Sequence, residues 1–258
     1  MRSLKLTLSY DGTAFVGWQR QAEGTSLQGL LEAILTAIDG TPVAVAGAGR
    51  TDAGVHALGQ VASCTLASTL DTDTLRRALN AQLPAEVRVL AVEEVAAAFH
   101  ARFSATGKRY RYVIANGTLV SPFAARYAWH LTGPLDLPAM QQAAKHLVGT
   151  HDYSAFQCAG SDVAHAVRSI RLAEITDVTS GPPAPLTAGA VPGGRLLAVE
   201  VASDGFLRHM VRTLTGTLVQ VGQGRRDPDL RPLLASTNRA LAGPTAPAHG
   251  LWLVEVDY

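Results

Sequence analysis

Cysteine is scarce in this chain. Its 258 residues contain two, Cys64 and Cys158, far apart and neither in a C-x-x-C pair. That excludes a disulfide framework and a zinc site built on thiolates, and predicts two reduced, packed thiols. No apolar run reaches the roughly 18 residues a transmembrane helix requires. The opening Met1-Arg2-Ser3-Leu4-Lys5 lacks the continuous apolar stretch of a secretion signal, so the expected location is the cytoplasm, with no membrane partner. Charge of one sign is missing as well. The formal net charge is +1, which gives no overall support to nucleic-acid binding.

Several chemical signatures are absent too. The glycine-rich stretch has no closing G-K-[ST], so it is not a P-loop. Gly47 and Gly49 begin a G-x-G-x-x-G, but Asp52 stands where the third glycine belongs. There is no H-E-x-x-H, no H-x-E with P-C-x-x-C, and no G-x-S-x-G elbow. His56, His100, His151 and His209 are scattered and read as hydrogen-bonding residues rather than metal ligands. Asp11-Gly12-Thr13 follows the first strand, as in aspartate-nucleophile phosphatases of the dehalogenase type. Ser9 occupies the position where those enzymes need a second aspartate.

What is present is a globular composition, 47% apolar and 17% charged, in a length compatible with one domain or two. Leu4, Leu6, Leu8 and Tyr10 alternate with polar residues as in a half-buried strand. Thr25-Ser26 caps a helix marked by Leu27, Leu30, Leu31, Ile34, Leu35 and Ile38 and closed by Gly40. Val43–Ala48 and Val61–Thr65 read as strands flanking a glycine-rich loop. Thr72-Asp73 caps a second helix carrying Leu75, Leu79 and Leu83, and Val87–Val95 is a further strand. The second half repeats this order. Strands are expected at Lys108–Ala115, Ser169–Val178, Leu196–Ala202 and Leu251–Asp257. Helices are expected at Leu137–Leu147, with Pro138 in its first turn, and over Leu207–Val221. Residues 180–194 read as a mobile Pro/Gly hairpin loop, and 228–247 as helical pieces broken by Pro232 and Gly243-Pro244. Each half is thus βαββαβ. The expected fold class is α+β: two ferredoxin-like halves, 1–104 and 105–258, forming a largely antiparallel sheet with helices on one side.

The chemistry concentrates in Gly49-Arg50-Thr51-Asp52-Ala53-Gly54-Val55-His56. Its glycines permit tight turns and close backbone approach. On residue chemistry alone, an ordinary turn with Asp52 bonded to local amides and Arg50 in solvent is the simpler reading. The alternative is a carboxylate, hydroxyl and guanidinium presented together. Basic residues also cluster: Arg102, Lys108, Arg109 and Arg111; Arg168 and Arg171; Arg208 and Arg212; Arg225 and Arg226. They form either solvated faces or patches that gather into a phosphate-binding surface.

Five collinear blocks resemble the tRNA pseudouridine synthase A family. They are Tyr10-Asp11-Gly12-Thr13 with Gly17-Trp18-Gln19, the Gly49–Ala57 segment, Phe99–Ser104 with Arg109-Tyr110-Arg111-Tyr112, Gly205-Phe206-Leu207 with His209–Arg212 and Gly216-Thr217, and Ala246-Pro247 with Gly250-Leu251 and Tyr258. The stretch after Ser180 looks like an insertion. The resemblance implies the pseudouridine synthase fold and isomerisation of uridines 38, 39 and 40 in the anticodon stem-loop, without cofactor or metal, by a homodimer that binds tRNA. Asp52 matches the catalytic carboxylate, Arg212 its ion-pair partner, Tyr110 the active-site tyrosine that stacks on the base and can relay a proton, Arg50 the residue that assists base flipping, and Leu251 a position packing on the base. Arg102, Lys108, Arg109, Arg111, Arg168 and Arg208 then become phosphate contacts. On the helix over Leu207–Val221, Arg208 and Arg212 are expected one turn apart on a stripe away from the core. Two rival readings are a catalytically silent RNA-binding module on the same fold and a metal-dependent hydrolase using scattered His and Asp.

Overall fold

The computed structural model describes residues 1–158, 165–180 and 190–258. It divides into two compact units, Met1–Lys108 with Trp252–Tyr258, and Arg109–Leu251. In chain order the first unit contains β1 (Arg2–Tyr10), α1 (Leu27–Asp39), β2 (Ala46–Gly47), β3 (His56–Leu66), α2 (Thr72–Gln82) and β4 (Val87–Val95). Then follow β5 (Gly107–Asn116), α3 (Pro122–Ala125), β6 (Trp129–Leu131), α4 (Leu137–Lys145), β7 (Gly149–Asp152), β8 (Val167–Asp177), β9 (Arg195–Ser203), α5 (Met210–Gly222) and α6 (Arg231–Ser236), and finally β10 (Leu251–Asp257). The fold class is α+β with mostly antiparallel pairing, as the element order predicts.

In the first unit β1 lies between β3 and β4, antiparallel to both. Its alternation fixes the register: Leu4, Leu6 and Leu8 are fully buried, and Leu6 pairs with Ala62 on one side and Val92 on the other. Helix α1 is terminated as its sequence predicts. Ser26 accepts from the Gly29 amide, and Gly40 ends the helix at φ +76°. The cap of α2 is Asp71, one residue before the expected Thr72-Asp73; its carboxylate accepts from the Thr74 amide. That bond and its neighbours hold the Asp71 carboxyl below the usual range.

The expected strand Val43–Ala48 shrinks to Ala46–Gly47, and the reason is chemical. Ahead of it, α1 side chains take over the backbone partners that a strand would supply. The Val43 amide donates to Thr36 Oγ1 at 3.0 Å, the Val45 amide to Glu32 Oε1 at 3.1 Å, and Gln28 Nε2 donates to the Val45 carbonyl at 3.0 Å. Strand β3 is correspondingly longer than expected, starting at His56. Strand β10, which sequence order assigned to the second half, pairs in parallel with β3 through Trp252 and His56.

In the second unit β9 lies between β5 and β8, and β7 flanks β8. Strands β7 and β6 and helix α3 are too short to leave a periodic signal. Helix α4 packs on α5 and β8. Helix α5 starts at Met210 rather than Leu207, because His209 adopts a left-handed φ of +62°. Arg208 therefore precedes the helix and shares no helical stripe with Arg212. Pro232 lies in the first turn of α6 and starts that helix instead of breaking it. Of the segment expected to be a mobile hairpin, residues 181–189 lie outside the described residues. Its end is anchored: Ala190 and Val191 are buried, and the Ala190 carbonyl accepts from the Ser121 amide at 2.8 Å. No helix among the described residues is long and apolar enough to cross a membrane.

Candidate active site

The loop from β2 to β3 is laid against the chain that follows β1. Gly17 and Asp52 form an isolated antiparallel bridge, and the Trp18 amide donates to the Thr51 carbonyl at 2.9 Å. Gly17 adopts φ +108°, and a Cβ there would sit 2.7 Å from that carbonyl. Only glycine meets both demands.

Beneath the loop lies a buried polar network that sequence reasoning missed. In sequence Tyr10 reads as the end of an alternating strand and the start of one family block, with no role for its hydroxyl, and Gln60 belongs to no motif. Gln60 is fully buried. Its Nε2 donates to the Gly49 carbonyl at 2.9 Å and to the Tyr10 hydroxyl at 3.3 Å. The Tyr10 hydroxyl lies 2.8 Å from Thr51 Oγ1. Burial raises the Tyr10 phenol to about 12, so it remains neutral. The Gly49 carbonyl before Arg50 and the Thr51 side chain after it are thus tied down, while Arg50 itself is exposed and Asp52 is half-buried. The signal available in sequence was a lone amide in an apolar strand, and such a group requires partners when buried.

Asp11 works as a local cap, its Oδ1 accepting from the Thr13 amide at 3.0 Å. His56 is fully buried. Its Nδ1 lies 3.1 Å from both the Gly12 amide nitrogen and Asp11 Oδ1, and its ring stacks on Trp252 at 4.4 Å. Lys108 runs along Gly49, with its Cε 3.5 Å from where a Cβ would be. The first unit thus brings Arg50, Asp52 and Lys108 to one loop.

In the second unit, Tyr110 is 7% exposed and meets Phe206 edge-on at 5.0 Å. Tyr112 is core: its hydroxyl donates to the Pro247 carbonyl at 2.7 Å, and burial pushes its phenol well up, partly offset by the Arg212 charge. Arg212 is held by the strap that follows α6. Its Nε donates to the Ala246 carbonyl at 2.7 Å, and the Ala246 amide returns a bond to the Arg212 carbonyl at 3.1 Å. The strap lies directly on α5, for a Cβ at Gly216 would collide with the Pro244 carbonyl. Thr217 Oγ1 accepts from the Gly243 amide at 2.9 Å. His249 on the same strap is lowered, first by burial and also by the Arg212 charge. Leu251 is buried.

The other basic residues differ in their engagement. Arg111 is tied to Glu200, Nε to Oε1 at 2.7 Å. Arg168 Nη1 donates to the His165 carbonyl at 2.9 Å. Arg109 is half-buried, and Arg208 and Arg102 are exposed. Both cysteines are free thiols; burial and the Asp39 charge push Cys64 up to about 12.

Comparison with known proteins identifies this arrangement. The model of the tRNA pseudouridine synthase family matches residues 7–104 and 143–258. Tyr110 falls between those segments, but full-length relatives span it. The tRNA pseudouridine synthase A of Moorella thermoacetica is 43% identical over 261 residues, covering 100% of both chains. The Brevibacillus brevis protein of that name is 44% identical over 259 residues, again covering 100% of each, and the Myxococcus xanthus one 45%, covering 100% of this chain and 92% of its own. Likeness to solved structures is loose: a Cbf5-Nop10-Gar1 complex aligns at 14% identity with a TM-score of 0.35, over 84% of this chain and 45% of the other, and carries no weight. The class is that of the pseudouridine synthases, α+β isomerases. Within it, the chain belongs to the tRNA pseudouridine synthase family, and its reaction is the isomerisation of uridine in tRNA.

Proposed function

We propose that Asp52 is the catalytic carboxylate, acting on a uridine at position 38, 39 or 40 of the tRNA anticodon stem-loop after that nucleotide has been flipped out of its stack. The reaction cuts the N1–C1′ glycosidic bond, turns the uracil and rejoins it through C5, which gives up its proton while N1 takes one up. It involves no redox change and no external group, so it calls for no cofactor. A carboxylate suits the role of nucleophile or charge stabiliser at C1′ or C6. One observation carries this reading: the loop is held at Asp52 by the Gly17 bridge, at the Thr51 hydroxyl by Tyr10 and at the Gly49 carbonyl by Gln60, so a half-buried carboxylate is presented on a pre-organised loop.

The remaining roles follow the family resemblance. Arg212, oriented by the Ala246 strap, is assigned as the guanidinium partner that orients the Asp52 carboxylate. Tyr110 stacks on the extruded base, Leu251 packs against it, and the exposed Arg50 assists flipping, which costs a few kcal/mol. Arg102, Lys108, Arg109, Arg168 and Arg208 contact phosphates; Arg111, committed to Glu200, is left out. In this scheme the 1–104 half supplies the carboxylate and the 105–258 half the tyrosine and arginine. The working form is a cytoplasmic homodimer.

The test is Asp52→Ala. The expected result is near-wild-type tRNA binding with no pseudouridine formed, read by mass mapping of treated tRNA. An unchanged yield removes Asp52 from the mechanism.

A further inference from the structure

Residues 100–104 form a turn with unusual internal bonding. The Ser104 amide donates to the His100 carbonyl at 2.9 Å, and the His100 amide donates to Ser104 Oγ at 3.0 Å. His100 Nδ1 accepts from the Arg102 amide at 3.1 Å and the Phe103 amide at 3.4 Å. Ala101, in the middle, is bolted down from two directions. Its amide donates to Ser63 Oγ at 3.0 Å, and its carbonyl accepts from the Tyr258 hydroxyl at 2.8 Å. The Ala101 methyl packs in a small apolar cluster with Ala48 and Val61, and Ala48 directly precedes Gly49 of the Asp52 loop.

This rigid pedestal presents Phe103 to solvent with 77% of its surface exposed. The Arg102 guanidinium lies over the ring, 5.5 Å from its centroid, and the His100 ring is 4.4 Å away, tilted. A scattered exposed apolar residue needs no explanation. A phenyl ring held in a fixed orientation beside a cation is different: it matches the two chemistries of a nucleotide, a π-face and a phosphate. The substrate is RNA, and RNA-binding proteins recognise unstacked bases by stacking them on aromatic rings.

We propose that Phe103 and Arg102 form an accessory nucleotide subsite at the root of the Asp52 loop. Phe103 stacks on an unpaired base of the tRNA and Arg102 binds its phosphate. The site is distinct from the one that takes the reacting uridine. The inference rests on the tRNA substrate of the family and is independent of the role assigned to Asp52.

Equilibrium binding of unmodified tRNA tests it without turnover. Phe103→Ala is expected to weaken binding roughly ten-fold at fixed salt while leaving the slope of log affinity against log salt unchanged. Phe103→Trp should restore binding, and Phe103→Leu should not. Arg102→Ala should reduce the magnitude of that slope by about one. Recovery with leucine would overturn the proposal, since it would show that bulk rather than a π-face is needed. A change in sedimentation of the free protein accompanying the loss would also overturn it, assigning Phe103 to a protein contact. Because no catalysis is measured, an inactive Asp52→Ala protein gives the same answer, and failure of either idea leaves the other standing.

Discussion

The Asp52 loop and the Arg212 strap solve one problem by different means. The loop presents Asp52 from an irregular segment, whereas Arg212 projects from helix α5 and an irregular strap holds it. Each arrangement relies on a glycine that lets backbone approach backbone, Gly17 under the Thr51 carbonyl and Gly216 under the Pro244 carbonyl. The strap is fastened to α5 through the Thr217 hydroxyl and paired bonds between Arg212 and Ala246, and to β5 through the Tyr112 hydroxyl at the Pro247 carbonyl. The loop is fastened by side chains from two strands, Tyr10 of β1 and Gln60 of β3, which meet beneath it. It depends on that buried amide and phenol, so its position is sensitive to the loss of either group.

Matched glycine substitutions sharpen this difference and carry the largest expected effect. Gly17→Ala adds a side chain at φ +108° and 2.7 Å from the Thr51 carbonyl. Backbone strain of that kind costs about 1–3 kcal/mol, and a shift of about 1 Å at Asp52 lowers turnover on the order of 100-fold. Gly216→Ala gains about 1 kcal/mol of helix propensity but collides with backbone, so its expected signature is lost thermal stability, with overpacking costing about 1–3 kcal/mol. Melting curves and kcat separate the two. Equal losses of kcat from both variants, at matched stability, would dissolve the contrast.

A smaller effect is expected from Gln60→Ala. It strips the partly buried Gly49 carbonyl of its donor, costing about 1–3 kcal/mol. For a chain of this length each kcal/mol lowers the melting temperature by about 2–4 °C. If Gln60 positions the loop, kcat falls several-fold below what the lost stability explains, while KM for tRNA moves little. A kcat that stays at the wild-type value well below the melting temperature would reduce Gln60 to a packing residue.

Much of this was legible in the residues. Ser26 and Gly40 bracket α1 because capping chemistry is local. The β1 register follows from alternation, and the Asp52 loop stood out through its glycines and adjacent charges. What stayed hidden depended on partners distant in sequence. Val43–Ala48 alternates like a strand, yet Thr36, Glu32 and Gln28 satisfy its first residues. Leu207 has helical spacing from Met210, but the left-handed turn at His209 separates them. Gln60 is one polar letter among apolar ones; its importance lies in Gly49 and Tyr10, eleven and fifty residues away. Strand β10 joins β3 although it closes the chain, a non-local pairing that no period within β10 announces.

The subtlest expected effect concerns the phenol under the loop. Tyr10 is raised from 10.0 to about 12 by burial, even though Thr51 and Gln60 pull it down. In the unfolded chain the phenol loses its proton first, so between these values the unfolded state binds fewer protons than the native one. Stability linked to Tyr10 is therefore complete below about pH 10 and declines as pH rises towards 12. Tyr10→Phe removes the hydroxyl and its bonds, costing about 1 kcal/mol near neutrality. The stability gap between wild type and this variant should narrow as pH is raised from 9 through 11, and the variant should lack one late-ionising phenol in an absorbance titration. A gap that stays constant through that window would mean the Tyr10 hydroxyl ionises at the same pH folded and unfolded, and the loop would then lack the dry, neutral support on which its fixed position depends.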